Sequence, residues 1–368
     1  MRVLLVAPVS KSSGGISRWT QHIKAYYESL NDRNIDLVFF DTARSEFIPD
    51  DIAIIPRLKL AIRDYRVIIR DFKQVMNEEL FDVVHITSSA GLGLFRDLYM
   101  TRLARKKGSN SIIHFRFGRI PQLSKKRNWE WKLLSRVVKK ADRVIVLDKR
   151  SYMSLLESGS RNVSLLPNMV SPNIEKTINN MKAETRVPRR LLFVGHCIAT
   201  KGVYELVEAC KSIQNIHLVL LGEIKEKVRR DLLNIADGGK WFEIMGEKPY
   251  AEVIRELLKC DVFILPTYTE GFPNVILEAM ACGCAIVTTP VGAIPEMLEE
   301  ENGRSFGLMV EPKNVLRLSE AIKRVLNDEQ FKNECRINSR KRVNERYSMS
   351  KVWEQLTTIW NNMSKIIH

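Results

Sequence analysis

No apolar run in this chain approaches the roughly 20 residues that a membrane-crossing helix needs, so no transmembrane helix is expected. The opening residues, Met1-Arg2-Val3-Leu4-Leu5-Val6-Ala7-Pro8, are too short an apolar stretch for a secretory signal and read as a first buried strand. Cysteine is sparse and unpatterned: the six, Cys197, Cys210, Cys260, Cys282, Cys284 and Cys335, show no C-x-x-C pairing. That argues against a disulfide framework and for reduced, cytosolic thiols. Cys282-x-Cys284 lacks the second pair or neighbouring histidine that would complete a metal site. There is no biased repeat and no nucleic-acid-reading motif, which leaves a globular chain. With 368 residues and 45% hydrophobic content, two or three domains with sizeable cores are expected.

Acidic residues are in short supply on one side only. Residues 1–180 hold 31 Lys and Arg against 18 Asp and Glu, and the rest hold 27 against 25, so the net charge of +15 belongs almost wholly to the first half. Its densest parts are 57–73, 102–107 and 125–150. Within the first, Lys59, Arg63, Arg66 and Arg70 fall on one helical face and Leu58, Ile62, Tyr65 and Ile69 on another, the pattern of an amphipathic basic helix. Such a helix suits a solvated face over a core, an anionic membrane surface or a polyanion. Without interleaved aromatic platforms or a reading helix, nucleic acid is the weakest of the three.

Apolar, β-branched runs alternate with longer segments of helical character along the whole chain. Strands are predicted at 3–7, 35–40, 83–86, 111–115, 143–147 and 163–166, then at 190–195, 217–221, 241–245, 262–265 and 285–288. Two doubly wound α/β sheets follow. The polar, proline-bounded stretch 172–188 reads as the linker, giving a first domain at 1–171 and a second at 189–349. In the final segment, 350–368, Val352, Leu356, Ile359, Trp360, Met363 and Ile366 recur at helical spacing, as expected of a helix packing back on the first domain.

The most informative stretch is Thr269-Glu270-Gly271-Phe272-Pro273-Asn274-Val275-Ile276-Leu277-Glu278. Proline suits the first position of a helix, so a helix is predicted to begin at Pro273 and to end near Gly283. Glu270 then lies in the loop ahead of it and Glu278 inside it. In a strand–loop–helix–strand unit ligands collect beyond the carboxyl ends of the strands, where the free amides of Asn274 and Val275 suit a diphosphate and the carboxylates suit hydroxyls. The spacing by itself fits a capping loop with two solvated acids equally well. Three other segments could join the same site. Ser12-Ser13-Gly14-Gly15 follows the first strand as a glycine loop; Gly195-His196-Cys197-Ile198-Ala199-Thr200-Lys201-Gly202 offers Lys201 as a flexible cation; and His114-Phe115-Arg116-Phe117-Gly118 ends a strand of the first domain.

Taken in order with Pro290-Val291-Gly292-Ala293-Ile294-Pro295-Glu296, these motifs resemble those of the large retaining glycosyltransferase family 4, over nearly the whole chain and most strongly from 191 to 310. The resemblance implies a GT-B fold: two doubly wound Rossmann-like domains facing across a central cleft, the first for acceptor and the second for donor. It implies a retaining, metal-independent enzyme without cofactor. Such an enzyme moves a sugar from a UDP- or GDP-linked donor to a glycan or a lipid-diphosphate-linked acceptor, in capsule, O-antigen or exopolysaccharide synthesis. Its expected place is the cytoplasm, peripherally on the inner face of the membrane. The family's roles fall on Glu278 for the ribose hydroxyls, Glu270 for the donor sugar and Lys201 for the departing diphosphate. The amides of Asn274 and Val275 and the Gly14-Gly15 loop assist, with Gly271, Phe272 and His196 at the donor and His114 as the sugar-contacting histidine. The chain departs from the family pattern at His196, where arginine is usual, and at Arg116, where many relatives carry a second histidine. A GT-B epimerase and a non-catalytic nucleotide-sugar-binding subunit are the alternatives.

Overall fold

In a computed structural model of the chain, the residues described are 1–9, 15–31, 34–43, 54–181 and 183–364. Strands β1 (Arg2–Ala7), β2 (Asp36–Asp41), β3 (Val83–Ser88), β4 (Asn110–Phe115), β5 (Arg143–Val146) and β6 (Val163–Leu165) form one parallel sheet in the order β2-β1-β3-β4-β5-β6. Strands β7 (Arg190–Val194), β8 (His217–Leu221), β9 (Phe242–Gly246), β10 (Val262–Leu265), β11 (Ala285–Thr288) and β12 (Leu308–Met309) form a second, ordered β12-β11-β10-β7-β8-β9. Both are α/β sheets wound in two directions, as the alternating pattern predicts. The central strands are buried on both faces, and they read in the sequence as unbroken apolar runs because helices cover each side. Leu4, Val6, Ile86, Ile113 and Val144 carry the first sheet's contribution to a core completed by Phe72, Met76, Leu94 and Leu134 from its helices.

The chain divides into a unit of residues 1–167 with 352–368 and a unit of residues 168–351. The stretch 172–188, expected to be a linker, contains a helix, Ile174–Asn180, which belongs to the second unit and buries Ile174. The division comes earlier, after Pro167. Residues 352–363 of the helix Met349–Ser364 lie in the first unit, and Val352, Leu356, Trp360 and Met363 form its buried stripe, with the Asn110 side chain donating to the carbonyl of Met363 at 3.0 Å. Among the described residues no helix is long and apolar enough to cross a membrane.

The basic helix predicted around 57–70 lies within a longer one, Ile54–Glu78. Ile68, Ile69 and Val75 pack against the core, while Ile62 and Tyr65, of the expected apolar face, are exposed beside Arg63, Arg66 and Arg70. The half of this helix with Phe72 and Met76 makes a core contact.

Under the Trp360 side chain lie two histidines, His85 and His114, both with no exposed surface. Burial drives both below the ordinary value of 6.5, His85 to about 3 and His114 well below, with Arg116 adding to the effect on each. A group whose folded value is depressed binds protons in the unfolded chain first, so its contribution to stability is full above 6.5 and is lost as pH falls from there toward about 3. Melting followed by near-ultraviolet circular dichroism should therefore show the first unit losing stability on acidification below 6.5. His85→Gln should flatten that dependence, and an unchanged slope in the variant would count against these histidines as its source.

Candidate functional site

In the second sheet the winding reverses between β7 and β10, so the connections leaving their carboxyl ends diverge and leave a crevice. The β7 connection carries Gly195 to Gly202, and the β10 connection carries Pro266 to Pro273. The two are tied to each other: the amide of Tyr268 donates to the carbonyl of Thr200 at 2.9 Å, and the Thr267 hydroxyl donates to the same oxygen at 3.3 Å. Gly202 is in the left-handed region at φ +73°, and a Cβ there would lie 2.1 Å from the carbonyl oxygen of Pro266. Any side chain would push the loops apart. On the other flank Gly292, at φ +56°, lets the loop after β11 press on the carbonyl of Glu270, and the amide of Ala293 donates to Gly271 at 2.9 Å.

Held this way, Lys201 and Glu270 meet, the ammonium donating directly to the carboxylate. Their side chains are 24% and 13% exposed, so the pair is largely screened from solvent while still reachable by a ligand. The one-turn helix Ala199–Lys201 presents Lys201, and Glu270 leads into the helix Asn274–Ala281. That helix starts one residue later than expected: Pro273, with ψ 107°, is extended and serves as the cap, leaving the amides of Asn274 and Val275 without intrahelical partners. Glu278 sits in its second turn, 7% exposed. Asn168, which the sequence reading passed over, steadies the helix start by donating to Asn274 Oδ1 at 2.9 Å and to the Phe272 carbonyl at 3.3 Å. At the far end Arg186 donates to the carbonyls of Cys282 and Gly283, and Arg340 to that of Ala281. Cations at that end complement the dipole whose positive end faces the crevice.

The remaining predicted residues are placed as follows. Gly271 lies in the same loop, and Phe272 is buried edge-on against Tyr347 at 5.8 Å. His196 is exposed on the β7 loop and pairs through Nδ1 with Glu223 at 3.1 Å. Gly14 lies outside the described residues, and Gly15 opens the helix Gly15–Ser29 of the first unit. His114 is the penultimate residue of β4 in the first unit, buried between His85 and Arg116 at 3.2 and 3.3 Å. Among the described residues no three His, Cys, Asp or Glu side chains gather as a metal site. Chemically, the second unit offers an ammonium, free main-chain amides at a positive helix end and two carboxylates: donors for a diphosphate and acceptors for hydroxyls.

Residues 176–342 match the family described as Glycosyl transferases group 1. A capsular polysaccharide biosynthesis glycosyltransferase of Staphylococcus aureus is 29% identical over 178 residues, 47% of this chain and 46% of that protein. An N,N'-diacetylbacillosaminyl-diphospho-undecaprenol alpha-1,3-N-acetylgalactosaminyltransferase of Campylobacter jejuni is 32% identical over 143 residues, 39% of this chain and 36% of that protein. The matched stretch thus spans less than half the length of either relative. In fold the likeness extends over the whole chain. Sucrose-phosphate synthase from Thermosynechococcus elongatus superposes with a TM-score of 0.74 over 98% of both chains at 18% identity. An Anabaena protein in complex with UDP-glucose does so at 0.70, over 98% of this chain and all of that one, at 15% identity. The two-sheet architecture is the GT-B fold, and the crevice-lining segments fall inside the region that matches group 1 glycosyl transferases.

Because Gly202 has both a left-handed backbone and no room for a Cβ, Gly202→Ala should cost about 2 kcal/mol or more of stability. Thermal melting of the second unit is the check, and a variant as stable as the parent would show that the close approach to Pro266 is not required.

Proposed function

We propose that this chain is a retaining glycosyltransferase that moves a sugar from a nucleotide-diphosphate donor to a glycan or lipid-linked acceptor in cell-surface polysaccharide assembly. The observation that carries the reading is the Lys201–Glu270 pair beside the free amides of Asn274 and Val275, with Glu278 one turn deeper in the same helix. The Staphylococcus relative is named for capsular polysaccharide biosynthesis, the Campylobacter relative for a diphospho-undecaprenol-linked substrate, and the Anabaena neighbour holds UDP-glucose. These support a nucleotide-sugar donor and a lipid-diphosphate-linked acceptor.

In this reading the donor's diphosphate takes Lys201 and the two amides, and Glu270 turns to the hydroxyls of the transferred sugar. Bond breaking at the anomeric carbon builds charge on the departing diphosphate. An ammonium and fixed main-chain dipoles are already in place to receive it, so no metal is invoked. Glu278 accepts from the ribose hydroxyls, for which a carboxylate screened from bulk water is well suited. Neither carboxylate acts as a nucleophile; the acceptor hydroxyl attacks the face that the diphosphate leaves. The first unit supplies the acceptor. Its helix Ile54–Glu78 exposes Ile62, Tyr65 and Val67 among Arg63, Arg66 and Arg70, a combination suited to the anionic inner face of a membrane where lipid-linked acceptors reside.

Two measurements test this. Purified protein incubated with UDP-, GDP- and dTDP-sugars and a lipid-diphosphate acceptor should transfer one of them with retention. Lys201→Ala should lower kcat by about a hundredfold or more, in line with the loss of a leaving-group donor, and Glu278→Ala should chiefly raise the donor KM. Transfer unaffected by both substitutions would refute the site, and release of an epimerised free sugar without acceptor would replace the transferase with an epimerase. Separately, the protein should sediment with vesicles containing phosphatidylglycerol, and Arg63→Glu, Arg66→Glu and Arg70→Glu together should abolish it; binding that survives the reversal removes this helix as the docking surface.

A further inference from the structure

Four side-chain N–H donors meet in the first unit with no acceptor among the described residues. They belong to Trp19, Arg116 and His114, and their arrangement follows from a tautomer set at a distance. The indole N–H of Trp360 can only donate, and it points at His85 Nδ1 at 3.0 Å. His85 must therefore leave Nδ1 bare and carry its proton on Nε2, which faces His114 Nδ1 at 3.2 Å. Arg116 Nη1, also an obligate donor, faces His114 Nε2 at 3.3 Å, so the chain Trp360–His85–His114–Arg116 has a donor at each end and must contain one donor–donor contact; with His114 Nδ1 accepting from His85, that contact is His114 Nε2–H against Arg116. Burial lowers Arg116 to about 9, which still leaves it charged and unable to accept at neutral pH. Around this facing pair, Arg116 Nε and Trp19 Nε1 are buried without hydrogen-bond partners among the described residues, and the guanidinium lies 4.5 Å from the Trp19 ring centroid.

Buried donors without acceptors are costly, and a charged one more so. Among the described residues no carboxylate pairs with Arg116, His85 or His114. The cluster stands at the carboxyl end of β4, next to the point between β1 and β3 where the first sheet reverses its winding, the edge at which such sheets take ligands. Arg116, unlike the two histidines, is partly exposed and gives a way in.

We propose that this cluster is an oxyanion site, in which a carboxylate or phosphate group of the acceptor accepts hydrogen bonds from His114 Nε2–H and Arg116, and that Trp360 is the positioning residue that fixes the tautomers. Calling the ligand the acceptor rests on the transferase reading; the oxyanion chemistry does not. An acidic sugar and a phosphorylated one are the two sources of such a group. The neutral imidazole supplies direction and the guanidinium supplies charge, and a bound oxygen turns the opposed donor pair into a bridged one.

The test uses the full chain labelled with 15N-histidine and saturated with UDP, so that added anions do not report on the nucleotide crevice. Methyl glucuronide, inorganic phosphate and neutral methyl glucoside are titrated while the His114 Nε2 resonance is followed. At least one of the two anions should shift that resonance saturably, the glucuronide marking a uronate and the phosphate a phosphorylated acceptor, and the glucoside should not. Arg116→Gln should weaken the effect at least tenfold, with Arg116→Lys in between, and Trp360→Phe should leave His85 populating both tautomers. No saturable shift with either anion, or equal shifts with the glucoside, overturns the proposal in the unaltered protein whatever the variants do. If UDP fails to bind but the anion shift persists, the oxyanion site stands and the transferase reading falls.

Discussion

The candidate site depends on an ammonium and a carboxylate being held together at the ends of two neighbouring parallel strands. Lys201 and Glu270 are 69 positions apart in sequence and meet only because β7 and β10 are adjacent in the sheet. Their loops can then approach so closely that one backbone carbonyl occupies the place of a missing side chain. A carboxylate this poorly hydrated would be unfavourable alone; the lysine compensates it, and it in turn keeps the lysine from folding away to solvent. In the proposed reading, an entering diphosphate finds a cation already confined, at the positive end of a helix whose negative end is held by two arginines. The electrostatics of that helix are arranged along its whole length.

The first unit distributes charge differently. It too pairs cations with carboxylates, Arg2 with Asp36 and Arg119 with Glu130 among them, but it exposes Arg63, Arg66 and Arg70 along the helix Ile54–Glu78 and leaves the half-buried Arg116 without a carboxylate partner among the described residues. This asymmetry is the structural form of the uneven charge between the two halves of the sequence.

Much of the architecture could be read from residue order. Fully buried parallel strands leave unbroken runs such as Val262-Phe263-Ile264-Leu265, and of the twelve strands among the described residues eleven are legible as apolar, β-branched stretches; β12, with two residues, is too short to leave a pattern. Proline and glycine mark the limits of the helix carrying Glu278 to within two residues. What could not be read were contacts whose partners lie far along the chain. Asn168 looks like an ordinary loop residue until Asn274, 106 positions on, is beside it. His114 looks like a strand-end histidine at a surface, and only the indole of Trp360 and the ring of His85 show that it is fully enclosed. The exposure of Ile62 and Tyr65 was hidden for a related reason: helical periodicity gives a face but not which turns of it are covered. Asn168 did leave a faint signal, a lone amide in the apolar run Leu165-Leu166-Pro167-Asn168-Met169-Val170.

The helix Met349–Ser364 has a consequence for how the molecule is made. Chains emerge from the ribosome in order, and leading domains ordinarily fold as they appear. Here the first unit cannot close its core on emergence, because the stripe of Val352, Leu356, Trp360 and Met363 that completes it is translated only after the whole second unit. For that interval His85 and the apolar surface around it stand open. The nascent chain must either wait unfinished or be sheltered, and the second unit, though translated later, is the one that can complete its fold first.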